Sequence, residues 1–281
     1  MTYRSIFRPD LFAGKTMMVT GGGSGIGRAT AHELASLGAH VVITGRRRTK
    51  LERVVREIEA AGGKATAVSC NIREEDEIKA LFTQVIAEHG VVHGLVNNAG
   101  GQFASPAEMI NLKGWNAVIN TNLTGTFLMC REAYNQCMKL HGGVIVNMLM
   151  ENWRGFPGMA HSAAARAGIE NLNKTLAVEW ARSGVRINGV APGLIETSGL
   201  ATYGDAMKPV IEQVIRDNPA KRMGTESEVA AVIVFLLSPA AAYISGESIR
   251  IDGGGSLWRK TWEIEDHDHA PHPFNGFVDS E

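Results

Sequence analysis

The stretch TMMVTGGGSGIG, Thr16–Gly27, decides the fold of this chain. Its apolar first half predicts a buried strand near Thr16–Thr20, and the amphipathic segment near Ile26–Leu37 predicts a helix. Glycines between them permit a sharp turn and a close approach of the backbone to a ligand, while the helix N-terminus attracts an anion. A glycine-rich turn alone is weak support, but strand, turn and helix together indicate a site for the pyrophosphate of a dinucleotide.

The rest of the chain repeats this alternation of short β-branched runs and longer amphipathic segments, which is typical of βα units around a parallel sheet. Six more strands are predicted near His40–Thr44, Ala65–Ser69, Gly94–Asn97, Val144–Met148, Arg186–Val190 and Glu247–Ile251. Further helices are predicted near Lys50–Ala61, Glu74–Glu88, Leu112–Met138, Ala160–Ala181, Asp205–Asp217 and Glu226–Leu237. We therefore expect an α/β fold, with one domain over residues 1–254 built on a doubly wound, parallel, seven-stranded Rossmann sheet.

Residues 255–281 form a C-terminal extension in this prediction, because the βα pattern stops after Gly253. From Glu263 onward the chain is rich in Asp, His and Pro without an apolar period, which predicts an extended or poorly ordered arm. The run His267-Asp268-His269 offers two histidines at i and i+2 without preorganised geometry, so no metal site is predicted. Trp258 and Trp262 are expected to cover a neighbouring subunit or the mouth of a pocket.

The composition excludes several classes of function. The 281 residues are 44% hydrophobic and 20% charged with a net charge of −1, so nothing favours nucleic acid or a membrane surface as a partner. No apolar run approaches the ~20 residues that span a bilayer. Cys70, Cys130 and Cys137 lack a Cys-x-x-Cys spacing and predict reduced thiols. We expect a soluble, cytoplasmic protein that acts on a small molecule.

The end of the second predicted strand bears on the choice of nucleotide. NAD sites usually place a carboxylate there to hold the ribose 2′-hydroxyl, but this chain has Thr44-Gly45-Arg46-Arg47-Arg48. Guanidinium groups suit a 2′-phosphate through charge-assisted hydrogen bonds. Three arginines could also form a solvated helix start, but the helix dipole disfavours cations at that end. The sequence therefore predicts NADP as the cofactor.

Over Gly14–Gly254 the chain resembles the short-chain dehydrogenase/reductase superfamily. The resemblance rests on Asn97-Asn98-Ala99-Gly100, Asn122-Leu123-Thr124-Gly125-Thr126, Arg186-Ile187-Asn188, Pro192-Gly193 and Ile251-Asp252-Gly253-Gly254, in addition to the glycine turn. It implies cofactor contacts from Gly21, Ser24, Gly25, Ile26, Gly27, Arg46, Arg47, Asn71, Ile72, Asn98, Ala99, Gly100, Arg166, Pro192, Gly193, Ile195 and Thr197. Asn71 and Ile72 would contact the adenine, and the last four residues would flank the nicotinamide. It also implies a homodimer or homotetramer formed by the long helices.

The catalytic motif of the superfamily, Tyr-x-x-x-Lys followed by Ala-Gly, is altered in this chain. Anchoring on Ala167-Gly168 puts Ser162 at the Tyr position and Arg166 at the Lys position, with His161 just before. The family's catalytic Ser falls within Met148–Met150, an apolar run that is either strand core or the wall of an acyl-chain site. Of the usual set Asn122 remains, so the candidate catalytic residues are Asn122, His161, Ser162 and Arg166.

The absence of the family's catalytic Tyr, Lys and Ser distinguishes between alcohol–carbonyl interconversion and reduction of a C=C bond. Interconverting an alcohol and a carbonyl needs a proton moved at oxygen, and a serine hydroxyl is too weak an acid to replace a tuned tyrosine. Reducing an activated C=C bond builds charge on a thioester oxygen and needs oxyanion donors instead. The residues therefore favour reduction of a carbon–carbon double bond, with an acyl thioester as substrate.

A narrower resemblance agrees with that chemistry. Gly100-Gly101-Gln102-Phe103, Ser105-Pro106-Ala107-Glu108 and His161–Gly168 are similar to peroxisomal trans-2-enoyl-CoA reductases, whose bacterial relatives are often assigned as citronellol or citronellal dehydrogenases. Trans-2-enoyl-CoA reduction is the function this implies. Two alternatives stay open: an NADP-linked alcohol or aldehyde dehydrogenase of terpenoid breakdown, and a nucleotide-binding module without catalysis.

Overall fold

The computed structural model describes residues 2–200, 208–257, 262, 264–267 and 269–278. The strands are β1 (Thr2–Tyr3), β2 (Thr16–Thr20), β3 (His40–Gly45), β4 (Lys64–Ser69), β5 (Val92–Asn97), β6 (Gly143–Met148), β7 (Val185–Pro192), β8 (Ile195–Glu196), β9 (Gly224–Thr225), β10 (Ser248–Ile251) and β11 (Phe277–Val278). The helices are α1 (Gly25–Ser36), α2 (Arg48–Ala60), α3 (Glu75–His89), α4 (Leu112–Ile119), α5 (Gly125–Ala133), α6 (Lys139–His141), α7 (Ala160–Glu179), α8 (Lys208–Asp217) and α9 (Glu226–Leu237).

Seven of these strands form the predicted parallel sheet, in the order β10-β7-β6-β5-β2-β3-β4. The prediction of a Rossmann sheet in a single domain is confirmed, and each predicted strand lies within two residues of its observed bounds. The chain leaves β2 in one direction toward β3 and β4 and later returns on the other side of β2 through β5. The carboxyl ends of β2 and β5 therefore flank a topological switch point, the usual place for a ligand in such sheets.

Helices cover both faces of the sheet, and each face has its own apolar core. On one face Leu34 of α1, Val54 of α2 and Ile233 of α9 pack against the strands, and all three are fully buried. On the other face Phe82 of α3 and Met129 of α5 are fully buried against Leu95 and its neighbours. Because both faces are covered, β2 is buried at every position, and the central strands lack the alternation of a half-exposed strand.

The predicted helix Leu112–Met138 is observed as one unbroken helical run from Leu112 to His141 that contains two π-helical turns. Asn120–Thr124 and Tyr134–Met138 have π-helical geometry, and they separate α4, α5 and α6. The hydrophobic periodicity of the sequence does not reveal such segments, because a single π-helical turn barely shifts the spacing of apolar residues along the helix. The helix predicted from Asp205 is observed as α8 from Lys208, and residues 205–207 lie outside the described part of the chain.

The C-terminal arm is extended, as predicted, and it packs against the domain. β11 pairs antiparallel with β1, with Thr2 opposite Val278 and Tyr3 opposite Phe277. Trp262 is 76% exposed, while Trp258 and Asp268 lie outside the described residues. The division of the chain at Gly254 stays a prediction.

Two further features concern the described residues as a whole. Among them, no helix is long and apolar enough to cross a membrane. Cys70, Cys130 and Cys137 are free thiols, and all three are buried.

Candidate active site and cofactor cleft

The glycine turn after β2 has the geometry that a close ligand approach requires. Gly21 and Gly25 have φ angles of 67° and 60°, in the left-handed region where a side chain adds strain. Gly27 allows α1 to pack against the turn, because a Cβ there would lie 2.4 Å from Asn98 Nδ2. Ser24 is the N-cap residue of α1, and its hydroxyl makes no capping hydrogen bond.

Thr20, which the sequence reasoning did not single out, ties this turn to the end of β5. Its hydroxyl accepts hydrogen bonds from the backbone N–H groups of Asn98 at 3.0 Å and Ala99 at 2.9 Å. Asn98 Nδ2 in turn donates to the carbonyl oxygen of Thr20 at 3.0 Å. The sequence contained one indication of this role: a threonine at the carboxyl end of β2, whose buried hydroxyl would need hydrogen-bond partners.

An open cleft with a cavity volume of about 250 Å³ lies above the carboxyl ends of β2, β3 and β5. Nine of the predicted cofactor residues line it: Gly21, Ser24, Arg46, Arg47, Asn71, Ile72, Asn98, Ala99 and Gly100. Lys50, Arg73 and Thr121 line it as well, and the sequence reasoning missed them. The remaining predicted residues, Gly25, Ile26, Gly27, Arg166, Pro192, Gly193, Ile195 and Thr197, are not among its lining residues.

The adenine end of this cleft is strongly basic. Arg46, Arg47, Lys50 and Arg73 line it, and no carboxylate is among its described lining residues. Arg48, the third arginine of the run, instead pairs with Glu52 one turn along α2, with 2.7 Å between Nε and Oε1. Arg46 and Arg47 are exposed and directly follow Gly45, the last residue of β3. The two arginines predicted to bind the cofactor therefore line the cleft, and Arg48 does not.

The residues predicted to flank the nicotinamide follow β7. The N–H of Gly193 donates to the carbonyl oxygen of Ile251 at 2.9 Å, and a Cβ on Gly193 would collide with Asp252. Ile195 is buried in β8, and the Thr197 hydroxyl accepts from the N–H of Gly199 at 3.3 Å. The short strand β8 pairs with β9, so this side of the site depends on the segment that precedes α9.

Arg166 on α7 is a buried cation without a charged partner among the residues that the structure describes. It is 6% exposed, and Nη1 donates to the carbonyl oxygen of Met148 at 2.5 Å. Its other terminal nitrogen faces Gly100, where a Cβ would lie 2.4 Å away. Burial lowers the pKa of the Arg166 guanidinium to about 10, with no contribution from a neighbouring charge. At neutral pH the site therefore holds a positive charge that no described carboxylate neutralises.

Asn122 lies in the π-helical turn between α4 and α5 and is fully buried. Its Oδ1 accepts from the N–H of Gly101 at 2.9 Å, and its Nδ2 donates to the carbonyl oxygen of Gly101 at 3.0 Å. The widened turn brings this side chain to the loop after β5. Asn122 thus fixes the backbone beside Arg166.

His161 and Ser162 begin α7 and contact the same loop. The Ser162 hydroxyl donates to Gln102 Oε1 at 2.7 Å, and the Phe103 ring packs edge-to-face on His161 with 4.5 Å between centroids. His161 Nδ1 accepts from the N–H of Ser162 at 2.8 Å, which puts the proton of a neutral imidazole on Nε2. That Nε2 is buried without a hydrogen-bond partner among the described residues.

The four catalytic candidates therefore converge on one loop. Gly100 lies against the Arg166 guanidinium, and the Gly101 N–H donates to Asn122. Gln102 accepts from the Ser162 hydroxyl, and the Phe103 ring packs on His161. Gln102 is the residue that sequence reasoning did not place in the site. Of the apolar run at the family's Ser position, Met148 and Leu149 are core residues, and Met150 is partly exposed.

This fold and cleft define a nicotinamide-dependent oxidoreductase, and comparison with known proteins gives the family. The chain belongs to the short-chain dehydrogenase/reductase family, because the family model described as enoyl-(acyl carrier protein) reductase matches residues 21–256. The resemblance inferred from the motifs is therefore confirmed.

Three relatives narrow the comparison. A probable 2,4-dienoyl-CoA reductase of Bacillus subtilis (strain 168) is 38% identical over 243 residues, which is 85% of this chain and 96% of the relative. The peroxisomal 2,4-dienoyl-CoA reductase of Mus musculus is 35% identical over 256 residues, 90% of this chain and 87% of the relative. A solved structure, the citronellol catabolism dehydrogenase (AtuB) of Pseudomonas aeruginosa PAO1, is 55% identical with a TM-score of 0.81 and covers 90% of this chain and 100% of its own.

Proposed function

We propose that this chain is an NADPH-dependent reductase of a C=C bond conjugated to a thioester, with a 2-enoyl- or 2,4-dienoyl-CoA as substrate. The observation that carries this proposal is the buried, unneutralised charge of Arg166. Burying a cation without a counter-ion is costly, so its retention indicates a function in which negative charge develops nearby. An enolate formed on a thioester oxygen is such a charge.

The hydrogen bonds of the site also argue against a tyrosine-type proton transfer. Ser162, at the tyrosine's place, is engaged with Gln102. Of the tyrosines that the structure describes, Tyr3 packs on α1, Tyr134 stacks on Trp180, and Tyr243 is fully exposed. None of these three phenols contacts the candidate catalytic residues, so alcohol oxidation lacks its usual acid and base among the described side chains.

We assign the donor role to His161 Nε2–H, with Gln102 oriented beside it by Ser162. The imidazole N–H is buried and lacks a partner, which costs free energy unless a ligand oxygen supplies one. A thioester oxygen that reaches it would meet a preorganised donor on the helix that also carries Arg166. Arg166 cannot serve as an acid, because its guanidinium keeps its protons at neutral pH.

The lining of the cleft supports a phosphorylated dinucleotide as its ligand. Its glycine-lined wall leaves room for a pyrophosphate beside the N-terminus of α1, and its adenine end presents four cations. We assign Arg46 and Arg47, assisted by Lys50, to a ribose 2′-phosphate. The chemistry that reduced nicotinamide would supply, when bound beside Pro192 and Gly193, is a hydride.

The atoms and electrons of the proposed reaction balance without a protein acid at oxygen. In a 2-enoyl thioester the β-carbon gains the hydride, the π electrons move to the thioester oxygen, and the α-carbon then takes a proton from water. In a 2,4-dienoyl thioester the hydride is gained at the δ-carbon, the charge reaches the same oxygen, and the α-carbon takes the proton from water to leave a 3-enoyl thioester. We assign the stabilisation of that oxygen to His161 and Arg166 in either case, so the proposed chemistry applies to both substrates.

A second candidate is an NADP-linked dehydrogenase of a terpenoid alcohol or aldehyde. The 55% identity to the citronellol catabolism dehydrogenase favours it. A 2-enoyl thioester with a branched, terpenoid chain would satisfy both that similarity and the chemistry of this site. A module without catalysis is disfavoured, because the relatives are reductases and dehydrogenases.

Steady-state assays separate these candidates. NADPH oxidation is measured with crotonyl-CoA, a long-chain 2-enoyl-CoA, a 2,4-dienoyl-CoA, a branched 2-enoyl-CoA and citronellal, and NADP reduction is measured with citronellol. We expect turnover of at least one unsaturated thioester and none of the alcohol. Oxidation of citronellol without turnover of any thioester would show that the proposal is wrong. Lys174→Ala, an exposed cation on the same helix, is the control for Arg166 variants.

A further inference from the structure

The C-terminal arm, residues 264–267 and 269–278, follows the segment 219–227 that leads into α9. Five hydrogen bonds between described residues hold it there: Lys221 Nζ to the Ile264 carbonyl oxygen (3.1 Å), His267 Nε2 to that of Pro219 (3.0 Å), Arg222 Nε to that of Pro271 (3.2 Å), Thr225 Oγ1 to that of Phe274 (2.5 Å) and the Gly276 N–H to Ser227 Oγ (3.1 Å). Lys221 also forms an ion pair with Asp266 at 3.4 Å. The acceptors are mostly backbone carbonyls, so the path of the arm is fixed by its main chain. Docking of this kind is specific despite the polar sequence of the arm.

Phe277 anchors the far end of the arm to the nucleotide-binding helix α1. Its ring lies 4.5 Å from the guanidinium carbon of Arg28 and 5.1 Å from the ring centre of His32, both on α1. The Tyr3 ring packs edge-to-face on it at 4.9 Å, within the β1–β11 pair. Arg28 also pairs with Glu57 of α2 at 2.6 Å, so Phe277 contacts a fixed cation rather than a free one.

The segment that the arm follows also carries one wall of the proposed cofactor site. β9 within it pairs with β8, and the Gly224 N–H donates to the Leu194 carbonyl oxygen at 3.0 Å. β8 and β9 form a two-stranded sheet separate from the seven-stranded one. The hydrogen bonds of the seven-stranded sheet therefore do not hold the β8–β9 pair in place. Contacts from other parts of the chain must fix its position.

We propose that the C-terminal arm is a positioning element that holds the β8–β9 pair and the start of α1 in the arrangement the cofactor requires. One covalent segment binds both at once, through Thr225 beside β8 and through Phe277 on Arg28. The proposal rests on the proposed cofactor site. It assigns to the arm no contact with the reacting atoms.

Hydrogen exchange of the free protein tests the structural part without cofactor or substrate. Phe277→Ala removes the anchor on Arg28, Phe277→Tyr keeps an aromatic ring there, and His272→Ala changes an exposed arm residue as the control. We expect Phe277→Ala to raise exchange at residues 194–197, at 219–227 and in the first turn of α1. Phe277→Tyr and His272→Ala should leave exchange unchanged. Faster exchange confined to the arm, with 194–197 unaffected, would overturn the proposal.

Nucleotide titration tests the functional part. We expect Phe277→Ala to weaken NADPH binding by about two- to fivefold, and a stop after residue 269 to weaken it further, because a cation–π contact contributes modestly. Retained affinity in a folded Phe277→Ala variant would overturn the proposal. If the truncated chain fails to fold, the three point variants decide. Failure of the proposed function can be told apart from failure of this proposal. In the first case the wild-type protein binds no nucleotide or turns over no thioester, but Phe277→Ala still raises hydrogen exchange at residues 194–197.

Discussion

The Ser162 hydroxyl donates to Gln102 Oε1 at 2.7 Å, across sixty positions of sequence. The side chain at the family's tyrosine position thus orients a neighbour. We expect Ser162→Ala to lower kcat/KM for an unsaturated thioester by less than about tenfold, because one neutral hydrogen bond contributes about 1 kcal/mol. Steady-state kinetics measure this. A loss beyond about a hundredfold would place Ser162 itself on the reacting oxygen.

Replacing Arg166 should have a much larger effect. We expect Arg166→Ala to raise the barrier by about 2–4 kcal/mol, because it removes a preorganised charge from a dry site. Arg166→Lys restores a cation and should recover part of kcat. The control Lys174→Ala, on the exposed face of α7, should match the wild type. Equal kcat/KM for wild type and Arg166→Ala would contradict the assignment.

Cofactor preference is set at the end of β3. We expect NADPH to bind at least about tenfold tighter than NADH, a difference of about 1.4 kcal/mol, because Arg46 and Arg47 line the cleft without a carboxylate. Arg46→Asp should reverse or abolish that preference. Arg48→Ala is the matched control, since Arg48 pairs with Glu52. Fluorescence titration with both nucleotides measures the ratio, and equal wild-type affinities are the contrary result.

The long helices are the predicted site of assembly. Ala164 and Ala167 are exposed small residues on α7, and Leu112 of α4 is 73% exposed. Small residues permit close helix approach, and an exposed leucine favours burial by a second copy. We expect a dimer or tetramer by light scattering at micromolar concentration. Ala164→Arg should shift the mass toward that of the monomer, and a monomeric wild type would refute the expectation.

His40 makes stability depend on pH. Burial, with smaller contributions from His89 and Lys64, lowers the pKa of His40, whose ring lies 4.2 Å from that of His89. The unfolded chain therefore binds the proton more readily, so this residue destabilises the fold as pH falls below about 6.5. Denaturant unfolding of wild type and His40→Gln between pH 5.5 and 7.5 measures the effect. The variant should show the shallower loss of stability at low pH; parallel curves would exclude the role.

The sequence by itself determined the architecture, because strand and helix periods and the glycine turn are local properties. The bounds of two elements, Thr16–Thr20 and Glu226–Leu237, were predicted as observed. A buried strand and a capped helix are each recognisable from a few neighbouring residues. The resemblance to the short-chain dehydrogenase/reductase family, read from the sequence, likewise implied that Asn122, His161, Ser162 and Arg166 form one group. These inferences need no knowledge of what lies across the fold.

Only the tertiary structure decided how those residues are used. The burial of Arg166 without a counter-ion among the described residues, its bond to the Met148 carbonyl oxygen and the bond from Ser162 to Gln102 depend on residues far apart in sequence. The docking of the polar arm was equally unpredictable, because it relies on main-chain carbonyls that every sequence possesses. Local patterns specify elements, whereas partners across the fold specify charge, burial and hydrogen bonding, and those set the chemistry.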